Sequence, residues 1–75
     1  MKLAPRIIID ESIRFGKPVI EGTRVPVELV LEKLANGCSE KELVEEYQIS
    51  EDDIRAVLHY AASVISEEQL KALSR

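Results

Sequence analysis

The apolar positions in the first third of the chain occur in short clusters between turn residues, without a helical repeat. Residues 7–9 are three consecutive isoleucines, and such a β-branched run predicts a strand. Residues 19–20 and 23–25 form two further segments on either side of Gly22, which can supply the positive φ of a tight hairpin. The pattern therefore predicts a β-ribbon of two or three short strands.

From Pro26 onwards, the apolar positions repeat at the spacing of an α-helix. Proline suits the first position of a helix, because its missing N–H has no helical partner there. The repeat consists of Val27, Val30, Leu31 and Leu34. Gly37 follows the repeat and predicts the end of this helix, since glycine readily adopts the left-handed conformation.

Two capping sequences predict the starts of the next two helices. Ser39 followed by Glu42 is a capping box, in which each side chain bonds to the backbone N–H of the other residue. It predicts a short second helix with a buried face of Leu43, Val44 and Tyr47. Ser50 followed by Asp53 caps a third helix, whose positive end is complemented by the acids at 51–53.

The third helix carries the longest apolar stripe in the sequence. This stripe consists of Ile54, Leu58, Ala61 and Ile65, and it is widened by Val57 and Val64. Beyond the stripe, Ser66 followed by Gln69 either caps a separate last helix or lies inside one continuous helix. Leu70 and Leu73 fall in this last segment under both alternatives.

Together, these elements predict a mainly α fold and a single domain over residues 1–75. Residues 1–25 form a β-ribbon arm, and residues 26–75 form the helical core. The short second helix, the turn of three residues and the longer third helix form a helix-turn-helix-like arrangement within a three-helix core.

The small size of the chain favours association. A chain of 75 residues buries little apolar surface, and such chains often gain the missing burial in an oligomer. One cysteine, Cys38, and one histidine, His59, supply neither an intrachain disulfide nor a structural zinc site. We therefore expect at least a homodimer.

The ribbon and the far end of the apolar stripe are the expected interface. The candidate interface residues are Ile7, Ile9, Val19, Ile20, Val64, Ile65, Leu70 and Leu73. Two alternatives stay open at this point: the ribbon packs on the helices of its own chain, or the C-terminal segment packs back on the first helix.

The charge of the chain is unevenly distributed. Ten Lys and Arg against fourteen Asp and Glu give a net charge of −4. Residues 1–25 hold five cations and three carboxylates, whereas residues 26–75 hold five cations and eleven carboxylates. An acidic protein binds nucleic acid only through a local basic surface, which here lies in the ribbon. The candidate DNA-binding residues are Arg6, Arg14, Lys17 and Arg24. For Arg24, a salt bridge to Glu21 or Glu28 is the open alternative.

The sequence gives no sign of an active site. A catalytic histidine needs a nucleophile and an orienting partner, and no such residues accompany His59 or Cys38. Asp52 and Asp53 are neighbours on a helix, so their side chains diverge rather than converge on a metal ion. We therefore expect no catalytic residue, no metal site and no cofactor. The chain has no segment typical of a signal peptide or a bilayer span, which predicts a cytoplasmic protein without membrane contact.

Three segments resemble the domain-of-unknown-function family numbered 433. Residues 15–27 are similar to its signature, and residues 34–39 and 54–61 are similar to its later blocks. The resemblance implies a homeodomain-like fold and an antitoxin of a type II toxin–antitoxin pair, associated with a PIN-like ribonuclease toxin. Such an antitoxin would neutralise the toxin and also bind its own operator DNA. The alternative is a small DNA-binding regulator without a toxin.

Overall fold

Residues 1–73 are described in a computed structural model, with side chains given for residues 1–67. Within that part of the chain, a small sheet precedes three helices. The strands are β1 (Lys2–Ala4), β2 (Ile7–Ile8) and β3 (Val19–Ile20). The helices are α1 (Val27–Ala35), α2 (Glu40–Tyr47) and α3 (Glu51–Leu73). The prediction of a mostly helical fold with an N-terminal β element is confirmed. None of the helices described here combines the length and apolarity that a bilayer crossing requires.

The sheet is antiparallel, and β2 is its central strand. Ile7 pairs with Ile20 across β2 and β3, and β1 adds an outer strand that the sequence pattern did not indicate. Pro5 and Arg6 connect β1 to β2, and Arg6 has a φ of 66°, as the third residue of a type II turn requires. The predicted third strand at 23–25 is absent from the sheet.

A tight turn after β3 replaces that predicted strand. The Thr23 N–H donates to the Ile20 carbonyl at 3.0 Å, and Gly22 has a φ of 80°. Only one bridge follows, between Val19 and Pro26. The predicted role of Gly22 is therefore confirmed, although its hairpin is shorter than expected because the helix begins immediately after Pro26.

Local rules account for the ends of α1. Pro26 is the residue before the helix, one position earlier than predicted. At the other end, the Cys38 N–H donates to the Lys33 carbonyl at 2.9 Å and the Gly37 N–H donates to the Leu34 carbonyl at 3.1 Å. These two bonds form a Schellman motif around Gly37, whose φ is 91°.

Both predicted N-terminal caps are present. The Glu42 N–H donates to Ser39 Oγ at 3.1 Å, and the Ser39 N–H donates to Glu42 Oε1 at 3.4 Å. The Asp53 N–H donates to Ser50 Oγ at 3.0 Å, and the Ser50 N–H donates to Asp53 Oδ2 at 3.0 Å. From this second cap, α3 runs without interruption to Leu73, so of the two C-terminal alternatives the continuous helix is the correct one.

Aliphatic side chains from the sheet and all three helices form one core. Its fully or nearly fully buried members are Ile7, Ile20, Val27, Val30, Leu43, Ile49, Ile54 and Val57. Val19 is also fully buried. The inner face of the sheet thus closes the helical core of its own chain. The ribbon is part of the globule rather than an arm, because two-residue strands gain their burial only by packing on helices.

The apolar stripe of α3 is only partly buried. Ile54 and Val57 are fully buried, whereas Leu58 is 45% exposed. Successive helix residues are about 100° apart, so Leu58 points well away from the direction of Val57. The core face of α3 is therefore centred on Ile54 and Val57, whereas the predicted stripe continues through the more exposed Leu58 to Ile65.

A polar contact joins the sheet to the start of α3. The Arg6 guanidinium donates to Asp53 Oδ1 at 2.9 Å, and a second Arg6 nitrogen lies 3.8 Å from Asp52 Oδ2. Partial burial acts to raise the pKa of Asp53, but the bonds from Ser50 and Arg6 outweigh it and hold the pKa below its usual value. Asp53 therefore caps α3 and binds the β1–β2 turn at the same time.

Ile54 and Leu58 on α3 differ in burial, so truncating each side chain tests the assigned core face. Ile54→Ala should lower the free energy of unfolding by about 3 kcal/mol, because it leaves a cavity at a fully buried site. Leu58→Ala should lower it by less than about 1 kcal/mol, because Leu58 is already 45% exposed and its truncation leaves no closed cavity. Urea denaturation followed by circular dichroism measures both values. If Ile54→Ala does not fold, Ile54→Val should still cost about 1 kcal/mol. Equal losses at the two positions would contradict the assigned core face.

The lowered pKa of Asp53 makes the Arg6 contact dependent on pH. A depressed carboxylate pKa contributes stability above the unfolded pKa of about 3.9, and that stability is lost as the pH falls through the folded pKa. Arg6→Gln should therefore destabilise the protein by about 0.5–1 kcal/mol at neutral pH, a value reduced by solvent screening. The difference from the unsubstituted protein should shrink as Asp53 becomes protonated.

Lys2→Gln is the matched control for this measurement, because Lys2 is another cation of the sheet, 3.7 Å from Glu21. The pKa of Asp53 should stay depressed in this variant, as followed by NMR titration of its side chain. An Arg6→Gln variant with an unchanged Asp53 pKa would refute the contact.

Candidate functional site

The four cations predicted to bind DNA fall into two pairs with different environments. Arg6 is engaged by Asp53 and Asp52, as described above. Lys17 is engaged by Glu28, with Nζ 2.8 Å from Oε1. The positive charge of both side chains is thus balanced within the fold by surface ion pairs, and a phosphate would have to compete with these carboxylates.

Arg14 and Arg24 form the second pair and lie side by side. Arg14 Nε donates to the Arg24 carbonyl oxygen at 3.2 Å. Both residues line an open cavity of about 440 Å³ with Glu11, Ser12 and Phe15. No carboxylate of residues 1–67 forms a salt bridge with either guanidinium. The predicted bridge from Arg24 to Glu21 or Glu28 is absent, because these acids pair with Lys2 and Lys17 instead.

The backbone next to these arginines has an unusual conformation. Arg14, Phe15 and Gly16 have φ values of 51°, 57° and 79°. Such left-handed conformations suit glycine, whereas for a bulky residue such as phenylalanine each costs on the order of 1 kcal/mol. Three in succession produce a tight left-handed turn over Arg14–Gly16.

Hydrogen bonds before and within this turn hold it in place. Asp10 Oδ1 accepts bonds from the Ser12 hydroxyl at 2.6 Å and the Ser12 N–H at 2.9 Å. These two bonds keep the pKa of Asp10 below its usual value. The Ile13 N–H donates to the Asp10 carbonyl at 2.8 Å, and the Gly16 N–H donates to the Ile13 carbonyl at 3.2 Å. The strained turn is therefore fixed by its own segment.

Phe15 projects from this turn into solvent. Its relative exposure is 99%, which is the largest value among the exposed large apolar residues of the described chain. The sequence pattern did not identify Phe15 as a surface residue. The available signal was an aromatic residue next to Gly16 and Pro18, outside every apolar repeat.

The structure distributes the predicted interface residues between the core and the surface. Ile7, Val19 and Ile20 are fully buried in their own chain, so their side chains are not available to a partner. Their burial follows from the packing of the sheet on the helices. Ile9 is half-buried, and Val64 is 37% exposed. Leu70 and Leu73 lie beyond residues 1–67, the range for which side chains are described.

The second half of α3 carries an exposed apolar flank. Leu58 and Ile65 are seven residues apart, so they lie on the same side of the helix, and Ile65 is 58% exposed. Ala61 and Ala62 lie between them, and every residue from 62 to 67 is exposed. We call Leu58, Ala61, Ala62 and Ile65 the α3 flank. The described part of the chain leaves this flank open.

Cys38 and His59 are separated in the fold. His59 is exposed and lines a groove of about 420 Å³ beside the β1–β2 turn. Cys38 lines a different cavity, with Glu42 and Glu46. Partial burial and these two carboxylates raise the pKa of the Cys38 thiol, which disfavours the nucleophilic thiolate. Within the described residues, no three His, Cys, Asp or Glu side chains are placed together as metal ligands.

Comparisons with known proteins place the chain in a family. Searches of the curated proteins and of the solved structures each gave no significant match. The model of the family described as Protein of unknown function (DUF433) matches residues 7–61. This range includes the sheet strands β2 and β3, the left-handed turn, α1, α2 and the buried part of α3. The match extends over most of the sequence, and the chain belongs to the DUF433 family.

Proposed function

We propose that this chain is an antitoxin-like binding protein, not an enzyme, which neutralises a PIN-like ribonuclease toxin through the second half of α3. The observation that carries the proposal is the α3 flank, an apolar strip that residues 1–67 leave partly uncovered. Such a surface can offer apolar contacts to a toxin. The toxin class comes from the resemblance of the sequence to antitoxin-like proteins.

The geometry of the α3 flank supports binding in a groove. Leu58 and Ile65 are spaced by two helical turns, with small alanine side chains between them. An amphipathic helix binds a groove through anchors at this spacing. The alanines let the helix backbone approach the partner closely, while the two larger side chains fill pockets. Exposed apolar side chains gathered on one flank are typical of an interaction site.

The charge of the helical part supports a ribonuclease as the partner. Residues 26–75 hold eleven carboxylates against five cations. A ribonuclease must present a positive surface to its RNA substrate, so an acidic partner is electrostatically complementary to it. Charge of this kind speeds association and disfavours unrelated acidic proteins. The apolar flank would then supply most of the affinity.

Binding to operator DNA is a second candidate, supported by Arg14 and Arg24, whose guanidinium groups form no salt bridge within residues 1–67. The proposal includes a homeodomain-like, helix-turn-helix-like arrangement of α2 and α3, and it is supported by the three residues that separate the two helices. However, α3 begins with three acidic residues, which would repel phosphates. Any DNA surface would therefore lie at Arg14 and Arg24 rather than at α3. A homodimer and a cytoplasmic location belong to the same proposal.

The α3 flank can be tested directly. Leu58→Glu combined with Ile65→Glu should weaken binding to the PIN-like ribonuclease of the same genome by more than about 100-fold, because buried anchor residues each contribute roughly 2 kcal/mol. Isothermal titration calorimetry measures the affinity, and cleavage of a fluorogenic RNA measures inhibition. Both glutamates lie at solvated positions, so circular dichroism should show an unchanged fold.

Ser63→Glu is the matched control, since Ser63 is exposed in the same part of α3 but points away from the flank. It adds negative charge without altering the apolar strip, and it should leave inhibition unchanged. Full inhibition by the double variant would reject the α3 flank as the toxin-binding surface. Absence of any complex with the unsubstituted protein would reject the antitoxin function itself.

A further inference from the structure

We propose that the left-handed turn Arg14–Gly16, together with Arg24, is a binding site for single-stranded nucleic acid. In this site, the Phe15 ring stacks on an unpaired base, and the guanidinium groups of Arg14 and Arg24 contact phosphates. This inference goes beyond neutralisation of a toxin and does not depend on it, because it uses a different surface of the molecule. It also differs from operator binding, which requires a duplex.

Within residues 1–67, the Phe15 side chain takes no part in the core. Its ring is 99% exposed, so both faces are open to solvent. Folding would be served better by glycine or asparagine at a φ of 57°, since these residues tolerate the left-handed region. An aromatic ring held outward at a strained position is therefore explained by contact with another molecule.

The turn presents Phe15 in a fixed position. Hydrogen bonds between Asp10 and Ser12, and between Gly16 and Ile13, fix the segment before the ring. The bond from Arg14 Nε to the Arg24 carbonyl fixes the segment from the other side. A contact residue whose backbone is held in this way loses only side-chain rotamer freedom when it binds, and this favours affinity.

The charges around Phe15 are those of a weak anion-binding surface. Arg14 and Arg24 line the same cavity as Phe15, and neither forms a salt bridge with a carboxylate of residues 1–67. Glu11 also lines this cavity, so the two arginines exceed the local negative charge by one. Arginine beside an exposed aromatic ring is the combination that single-strand binding proteins use, with a cation at the backbone and a ring under the base.

The site should bind unpaired bases more favourably than a duplex. In a duplex, each base is already stacked, so insertion of Phe15 would first have to separate two base pairs. Two arginines contact too few phosphates to offset that separation. An unpaired base offers an open face to the ring without this penalty. Because a phenylalanine ring has no hydrogen-bonding groups, the site should show little preference among bases.

The chain contains no tryptophan, so Phe15→Trp introduces a unique fluorescent reporter at the site. Titration with a single-stranded oligouridylate of about ten nucleotides at low salt should quench this fluorescence, because stacking on a base quenches indole emission. Leu58→Trp, which places the reporter on the α3 flank, should show no quenching. Oligothymidylate should behave in the same way as oligouridylate, since stacking does not require the ribose hydroxyl.

Two further variants divide the site into its parts. Phe15→Ala should weaken binding by about tenfold or more in fluorescence anisotropy, because it removes the stacking platform. Arg14→Gln combined with Arg24→Gln should flatten the salt dependence. Two phosphate contacts on a single strand predict a log–log slope of about −1.4, and the double variant should approach zero. Lys17→Gln is the control, since Lys17 is already paired with Glu28.

Three results would overturn the inference. The first is an unchanged tryptophan fluorescence of the Phe15→Trp variant at saturating oligonucleotide concentrations. The second is tighter binding to a duplex of the same sequence, which would assign the site to double-stranded DNA. The third is a blue shift of the Phe15→Trp emission with the PIN-like ribonuclease but no response to oligonucleotide, which would assign the turn to a protein pocket. Toxin inhibition by Phe15→Ala is measured separately, so failure of this site leaves the α3 flank untouched.

Discussion

Burial of the sheet's inner face against the helices is the interaction on which the rest of this structure depends. Strands of two or three residues are not stable alone, and three helices without tryptophan have few large side chains for a core. Ile7 and Ile20 join Ile54 and Leu43 within one aliphatic cluster. The sheet therefore gains its stability from the helices, and the helices gain their closure from the sheet. This mutual dependence makes the N-terminal third a fixed platform for the turn that carries Phe15.

The features that sequence reasoning predicted well are those decided by close neighbours in the chain. Ser39 and Ser50 cap helices through bonds to residues three positions later, and Gly37 ends a helix through bonds within a few residues. The strand β1 could not be predicted, because Lys2–Ala4 has no alternating pattern and pairs only once β2 is in place. The exposure of Leu58 depends on which side of α3 the other helices pack against. Tertiary packing decides that side, and local periodicity does not encode it.

The candidate surfaces were predictable only in part, for the same reason. The four cations of the ribbon were identified from charge alone, but their pairing depends on residues distant in the sequence. Arg6 and Asp53 are 47 positions apart, and Lys17 and Glu28 are 11 apart. Within residues 1–67, the fold thereby divides an apparently uniform basic segment into two cations that form salt bridges and two that do not. Membership of DUF433 identifies the family but not the chemistry, so function has to be inferred from what the fold leaves exposed.

The handedness of the Arg14–Gly16 turn determines which amino acids fit position 15 without strain. A left-handed backbone is the mirror image of the conformation that natural amino acids prefer, so a D-amino acid would fit the turn without strain. Chemical synthesis with D-phenylalanine at position 15 would relax the backbone and send the ring in a new direction. At this site, the residue that would relieve the backbone strain would also change the direction of the ring. The natural L-phenylalanine keeps the ring direction and retains the strain.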